Sequence, residues 1–346
     1  MRKKPGIHGT DAELAVDSSQ DQAGASSQGG GGHAVLISVI ISTRNRAAQL
    51  SRCLHHVGLI RTDTPWELVV VDNGSTDGTA DVLGEFARRG RSPLRIVSEP
   101  VEGLTHARNA GLRAARGEIV VFTDDDCYVR PDFIDEYRKV FDDPALGFAG
   151  GRILLHDSTD YPLTIIESDA ERIFPLGRPV PCGIVQGANM AIRRRALEQA
   201  GGFDVRLGPG TPFLADDWDM QTRVAALGWA GGYFPGPTVS HHHGRKREHA
   251  KAVMRGYNMG SGAVCLKLFA DPRTRWNYLP HIMRRIFGDL RTHRLKIVQQ
   301  IYGAMLFLNR NRRHLLGESP DSLAQVLKTV PISLEREKAS AKGGPT

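Results

Sequence analysis

At 346 residues the chain is longer than one typical domain, and length alone allows one large domain or two. Hydrophobic residues make up 40% and charged residues 24%, enough for a packed core at the charge content of an ordinary soluble protein. The formal charge of +7 suits an anionic partner such as a nucleotide diphosphate, a phospholipid surface or a nucleic acid, without choosing among them.

The first 33 residues are rich in Ser, Gln, Gly, Asp and Ala and read as a disordered tail ending in Gly29-Gly30-Gly31-Gly32. They lack an apolar run, so no secretory signal is expected. A β-branched run, Val35 to Ile41, predicts a buried strand that empties into Ser42-Thr43-Arg44-Asn45-Arg46. Helical character follows from Ala47 to His56. A second strand, Glu67 to Val71, ends in Asp72-Asn73-Gly74-Ser75-Thr76-Asp77-Gly78, and Thr79 to Arg89 reads as a helix that Thr76 or Asp77 can cap. Leu94 to Val97 is a third strand. His106 to Arg116 is a helix with Gly117 placed to end it. A fourth strand, Glu118 to Thr123, runs into Asp124-Asp125-Asp126.

Strands alternating with helices predict an α/β fold with a mostly parallel sheet covered on both faces. In such sheets ligands bind beyond the carboxyl ends of the strands, where the polar loops lie here. The stretch from Gly147 to about Phe234 is less regular. It holds the glycine-rich Gly183 to Asn189, a helix from Arg193 to Ala200, the acidic run Asp216-Asp217-Trp218-Asp219, and a helix to Leu227. From His241 to Leu316, Lys and Arg outnumber Asp and Glu 16 to 3, with helices expected over Leu279 to Gly288 and Leu295 to Leu308. The last thirty residues read as weakly ordered. The four cysteines are scattered, with no C-x-x-C pair, so neither a zinc site nor a disulfide framework is indicated and a reducing cytoplasm is the expected compartment. No apolar stretch approaches the ~18 residues of a spanning helix.

Three adjacent carboxylates at a strand end repel one another unless a cation sits among them. On an extended chain Asp124 and Asp126 would share a face, and a hard cation such as Mg²⁺ or Mn²⁺ takes one or two carboxylates together with a substrate diphosphate. The ordinary alternative is a solvated acidic turn.

The runs Ser38 to Arg46, Val70 to Asp77, Ala107 to Gly111, Phe122 to Asp126, Asn189 to Arg194, Gly202 to Asp204 and Asp216 to Asp219 resemble, in order, glycosyltransferase family 2. Any one is weak alone; the ordered set, spanning about residues 36 to 243, is specific. The resemblance implies a GT-A fold, a nucleoside-diphosphate sugar donor (commonly a UDP-sugar), a divalent metal and inversion at the anomeric carbon. It divides the chain into a tail (1–33), a catalytic domain (34–243, with a nucleotide half 34–126 and an acceptor half 127–243), a basic helical extension (244–316) and a second tail (317–346).

Position by position, the resemblance implies donor binding by Thr43, Arg44, Asn45 and Arg46, base recognition by Asp72, and contact of Arg108 with the diphosphate. Asp72 reads equally as the start of an Asx turn. Asp124 and Asp126 match the D-x-D pattern; the intervening Asp125 leaves the ligand assignment open, with Asp126 first choice for the metal. Asp216 stands where the family usually has Glu, and Asp217 takes the position of the general base, with Asp216 or Asp219 as substitutes. Val239-Ser240-His241 resembles the segment whose histidine completes a metal shell. Gly187 to Met190, including Asn189, resembles the acceptor-side loop. Trp218 suits either stacking on an acceptor sugar or a core position. Arg245-Lys246-Arg247 and the basic extension suit a lipid-linked anionic acceptor or the inner membrane face, and solvated helix faces would explain the same charges.

Two other classes fit less well. A sugar nucleotidyltransferase would carry a glycine-rich loop after the first strand, and Ser42 to Arg46 has no glycine. A nucleic-acid-binding protein would interleave aromatics in a recognisable module, which the basic third lacks; no nucleic-acid partner is expected.

Overall fold

A computed structural model describes residues 36–90, 92–292 and 294–315 of the chain. The predicted tails 1–33 and 317–346 lie outside them.

The first half of the described chain alternates as the sequence implies. Strand β1 (Ile37–Thr43) is followed by helix α1 (Ala47–Val57), β2 (Trp66–Asp72), α2 (Thr79–Arg89), β3 (Leu94–Ser98), α3 (Leu104–Ala114) and β4 (Ile119–Asp124). The apolar runs lack alternation because both sheet faces are covered. On one face Val39 and Ile41 pack with Leu50, Cys53 and Leu54 of α1. On the other, Ile40 and Val71 pack with Ala107 and Ala110 of α3. Gly111 lets α3 lie that close, since a Cβ there would come 2.6 Å from Ile40 Cγ2.

Helix α3 stops two residues earlier than the sequence suggests: Ala115 is already extended (φ −64, ψ 149). Gly117 therefore does not cap it. Gly117 instead runs against β1, donating its N–H to Ser38 Oγ at 2.8 Å.

The remaining elements are β5 (Cys127–Val129), α4 (Phe133–Val140), β6 (Leu146–Leu155), β7 (Arg172–Phe174), β8 (Asn189–Arg193), α5 (Arg194–Ala200), α6 (Asp216–Ala226) and β9 (Ala230–His241). They extend the same sheet in the order β3-β2-β1-β4-β8-β6-β9-β5, with β7 paired to β9. The expectation of a mostly parallel sheet holds only for the first half. β8 runs antiparallel to both β4 and β6, and β5 and β7 antiparallel to β9, so the sheet is mixed.

Three helices follow: α7 (Arg247–Ala270), α8 (Arg275–Thr292) and α9 (Arg294–Leu315). The sequence pointed to parts of α8 and α9 and missed α7, which holds Gly256, Gly260 and Gly262 and no clear polar side. Its glycines are needed for packing. A Cβ on Gly262 would meet the Gln300 carbonyl of α9, and one on Gly260 would lie 2.8 Å from the backbone of Leu214. Among the described residues no helix is long and apolar enough to cross a membrane.

Strand register sets the site. β1 pairs in parallel with β2 and β4 so that Thr43 lies opposite Asp72, and Ser42 opposite Asp124. The polar residues at three strand ends thus share one edge of the sheet.

Candidate active site

A cleft of about 940 Å³ opens at that edge. Of the residues singled out from the sequence, Thr43, Arg44, Arg46, Arg108, Asp124, Asp125, Asp126, Gly187, Asp216, Asp217, Trp218 and His241 line it.

Asp125 and Asp126 form a turn between β4 and β5, so the three acids do not lie along one extended strand. The turn separates them. Asp125 faces β1, accepting from Thr43 Oγ1 at 2.8 Å and pairing with Arg46 Nε at 3.0 Å. Burial, aided by the neighbouring Asp126 charge, pushes the Asp125 carboxyl up to about 7 against the pull of Arg46. Asp126 moves the other way. Burial would raise it, but His241 and then Arg46, which donates Nη2 to Oδ2 at 2.5 Å, hold it below the usual carboxylate range.

β9 brings His241 to this corner. Cys127 pairs with His241 across the β5–β9 ladder, and the His242 N–H donates to the Asp126 carbonyl at 2.9 Å. The three histidines then diverge. His241 Nε2 is 3.3 Å from Asp126 Oδ1, His242 meets Tyr128 Oη at 3.0 Å, and His243 turns to Asp160.

The donors here fit a divalent cation. Asp126 Oδ1 is buried without a hydrogen-bond partner although His241 Nε2 is close by. Such an orphaned acceptor is costly unless something else satisfies it. Ligand atoms of Asp124, Asp126, His241 and Cys127 all lie within 4.8 Å of one another. Burial keeps the Cys127 thiol protonated, well above its ordinary pKa, which leaves a hard oxygen and imidazole set.

The second acidic group sits at the start of α6. Arg108 is buried between the two groups, donating Nη1 to Asp216 Oδ2 at 2.5 Å and lying 3.5 Å from Asp124 Oδ1 through Nη2. Nη2 also donates to the Gly187 carbonyl at 3.1 Å. Asp217 is only partly buried, and both its oxygens are fixed by backbone N–H groups: Trp218 at 2.7 Å and Gly187 at 3.2 Å. Burial and then the Asp216 charge raise its carboxyl to about 6, near the working pH of a general base.

Four candidates fall elsewhere. Asp219 points away from the cleft, ion-paired to Arg223 and Lys267, and cannot replace Asp217. Asn189 is fully buried. Its amide binds the carbonyls of Arg152 and Pro237 and accepts from Tyr137 Oη, which makes it a strand-linking residue and no acceptor contact. Asp72 Oδ1 accepts from the Ser75 N–H, three residues on, at 2.9 Å, closing the loop locally, and Asp72 does not line the cleft. Asn45, at φ 52, uses its side-chain Oδ1 to accept from the Thr76 N–H, tying the first loop to the second. Trp218 borders the cleft, but it is a core side chain, 3% exposed, with Nε1 donating to the Val180 carbonyl.

The extension supplies a wall the sequence reading did not foresee: Met254, Tyr257, Asn258 and Ser261 of α7 and Lys296 of α9 all line the cleft. Burial first, and then the Asp217 charge, pushes the Tyr257 phenol up to about 12. No motif marks Tyr257; only the folded path of α7 brings it there. Of the basic triplet, Arg245 alone reaches the cleft, while Lys246 is bound to Asp160 and Arg247 lies over Tyr161.

Residues 38–201 match the model of Glycosyl transferase family 2. The chain is 38% identical over 105 residues to an uncharacterized glycosyltransferase of Nostoc sp., covering 30% of this chain and 32% of that protein. It is 26% identical over 212 residues to the probable glycosyltransferase YdaM of Bacillus subtilis, covering 58% and 49%. The chain thus spans between a third and a half of the length of these relatives. Among solved structures, the mannosyltransferase PcManGT from Pyrobaculum calidifontis, in complex with GDP-Man and Mn²⁺, superposes with a TM-score of 0.58 at 23% identity, over 86% of this chain and 80% of that one. S. aureus TarS 1-349 in complex with UDP-GlcNAc gives 0.58 at 16%, over 85% and 86%. These likenesses show a GT-A fold, and the sequence match makes residues 38–201 similar to glycosyl transferase family 2.

Proposed function

We propose that the protein transfers a glycosyl group, with inversion, from a nucleoside-diphosphate sugar to a saccharide or lipid-linked acceptor, and that the donor is a UDP-sugar. The observation that carries the reading is Arg108, buried in contact range of both the Asp124 and Asp216 carboxylates. One guanidinium thereby links a diphosphate-binding acidic corner to the carboxylates where an acceptor hydroxyl must be deprotonated. The structural neighbours bound to GDP-Man with Mn²⁺ and to UDP-GlcNAc support a nucleotide-sugar donor and a divalent metal.

Asp126, Asp124 and His241 would hold the metal, which when bound neutralises charge on the departing diphosphate. Arg46 keeps Asp126 ionised for that role. Thr43 and Arg46 together fix Asp125, a positioning contact within the turn. On the acceptor side, the backbone N–H groups of Gly187 and Trp218 aim the Asp217 carboxylate. The acceptor oxygen forms its bond to the anomeric carbon as the bond to the diphosphate oxygen breaks; the hydroxyl proton passes to Asp217, and the nucleoside diphosphate leaves with the bonding pair.

Asp217→Asn tests the assignment. It should lower kcat by about 10²–10⁴-fold, the usual contribution of a positioned base, while donor affinity stays close to that of the parent. Turnover near the parent level would remove Asp217 from the mechanism.

A further inference from the structure

A run of exposed large apolar side chains lies on the last two helices. Helix α9 buries Ile297 and Phe307. It crosses α7 closely: a Cβ on Gly303 would meet the backbone of Met259. Its other side turns Leu295, Val298, Ile301, Tyr302, Met305 and Leu308 outward, with Leu295 71% and Met305 65% exposed. Steps of three and four residues keep these on one helical face. Helix α8 repeats the pattern with Trp276, Met283 and Phe287, spaced by seven and four, and Trp276 is 72% exposed. A helix apolar on both sides with one side uncovered marks an interaction surface. Basic residues accompany it: the sequences of α8 and α9 hold nine Lys and Arg and one acid, Asp289.

We propose that the outward face of α8 and α9 docks on an anionic lipid bilayer, lying in its interfacial region without crossing it. An apolar stripe on helices of strongly basic sequence, too polar to span, is the composition of an interfacial helix. Charge argues against a second copy of the chain. A two-fold contact would set arginine-rich helices against their own equivalents with almost no acid to pair them. The location gives the docking a purpose. Lys296, next to exposed Leu295, lines the cleft together with Met254 and Tyr257. A bilayer against this face would present the polar head of a lipid-borne acceptor close to the cleft mouth. That purpose rests on the proposed lipid-linked acceptor; the docking itself does not.

The test is co-sedimentation of the full chain with vesicles of phosphatidylcholine alone and of phosphatidylcholine mixed with phosphatidylglycerol. Binding to the mixed vesicles, weaker on the neutral ones and weakened by salt, is expected. Val298→Glu with Met305→Glu should lower partitioning about tenfold or more, while thermal unfolding and UDP binding remain those of the parent. Absence of binding to the mixed vesicles, or binding that the double variant leaves unchanged, would overturn the proposal. So would a concentration-dependent dimer that the same substitutions dissolve. Transfer to a soluble saccharide by a chain that ignores vesicles would retain the activity and discard the docking. Vesicle binding by a chain with no transfer would do the reverse.

Discussion

Asp217 and Asp219 lie two positions apart on one helix turn, yet only the first can act on a ligand. The sequence pattern names a cluster of acids, but direction comes from the fold: Asp219 is committed to Arg223 and Lys267, and Asp217 is held at the cleft by Gly187 and Trp218. The same limit applies to Asn189, whose place beside a glycine-rich loop concealed its three internal hydrogen bonds. Holding Asp217 up to about 6 has a cost to stability. The unfolded chain releases this proton near the ordinary carboxylate value of 3.8, whereas the folded chain keeps it to about 6. Between those pH values the folded state binds more protons, so the contribution of Asp217 to stability falls as pH rises through the window. Asp217→Asn, which cannot ionise, should therefore gain stability relative to the parent between pH 4 and pH 7, by up to about 3 kcal/mol. Urea unfolding at the two pH values measures it; a difference that does not change with pH would mean the carboxyl is not perturbed.

Elements of the first half are readable because each strand is buried on both faces and each βαβ unit repeats the same rhythm. β1, β2, β3 and β4 and their helices lie within a few residues of where the apolar runs put them. The second half is harder for a physical reason. β6 and β9 are interrupted by Gly147, Gly150, Gly231 and Gly232, where backbone and side chains approach too closely for a Cβ, and β8, the antiparallel partner of β6, is only five residues long. Helix α7 lacks a clean polar face because one side borders the cleft and another meets α9. The loop before β8 matters as much as any helix. A Cβ on Gly187 would strike the Arg108 guanidinium, so Gly187→Ala should displace it from both carboxylates while the sheet remains intact. The expected loss in kcat/KM is up to about 10²-fold, the scale of a misplacement of about 1 Å near the chemistry, with little change in melting temperature. Unimpaired transfer by this variant would show that Arg108 has no part in the reaction.

At the scale of the whole molecule, the ordered motifs from β1 to α6 made the family resemblance legible, and three of them, at the ends of β1, β2 and β4, lie at one edge of the sheet. The role of the basic extension was not legible. Its charge was plain, but that α7 and α9 wall the cleft depends on long-range packing between segments far apart in sequence. What unites the two halves is the acidic corner of Asp124, Asp126 and His241, beside a guanidinium shared with Asp216. Calorimetric titration of UDP with and without Mn²⁺, on the parent and on Asp126→Ala, tests that centre most directly. Tight UDP binding that requires Mn²⁺ and disappears in Asp126→Ala is the predicted result; UDP binding of equal strength without the metal, or unchanged in the variant, would contradict it.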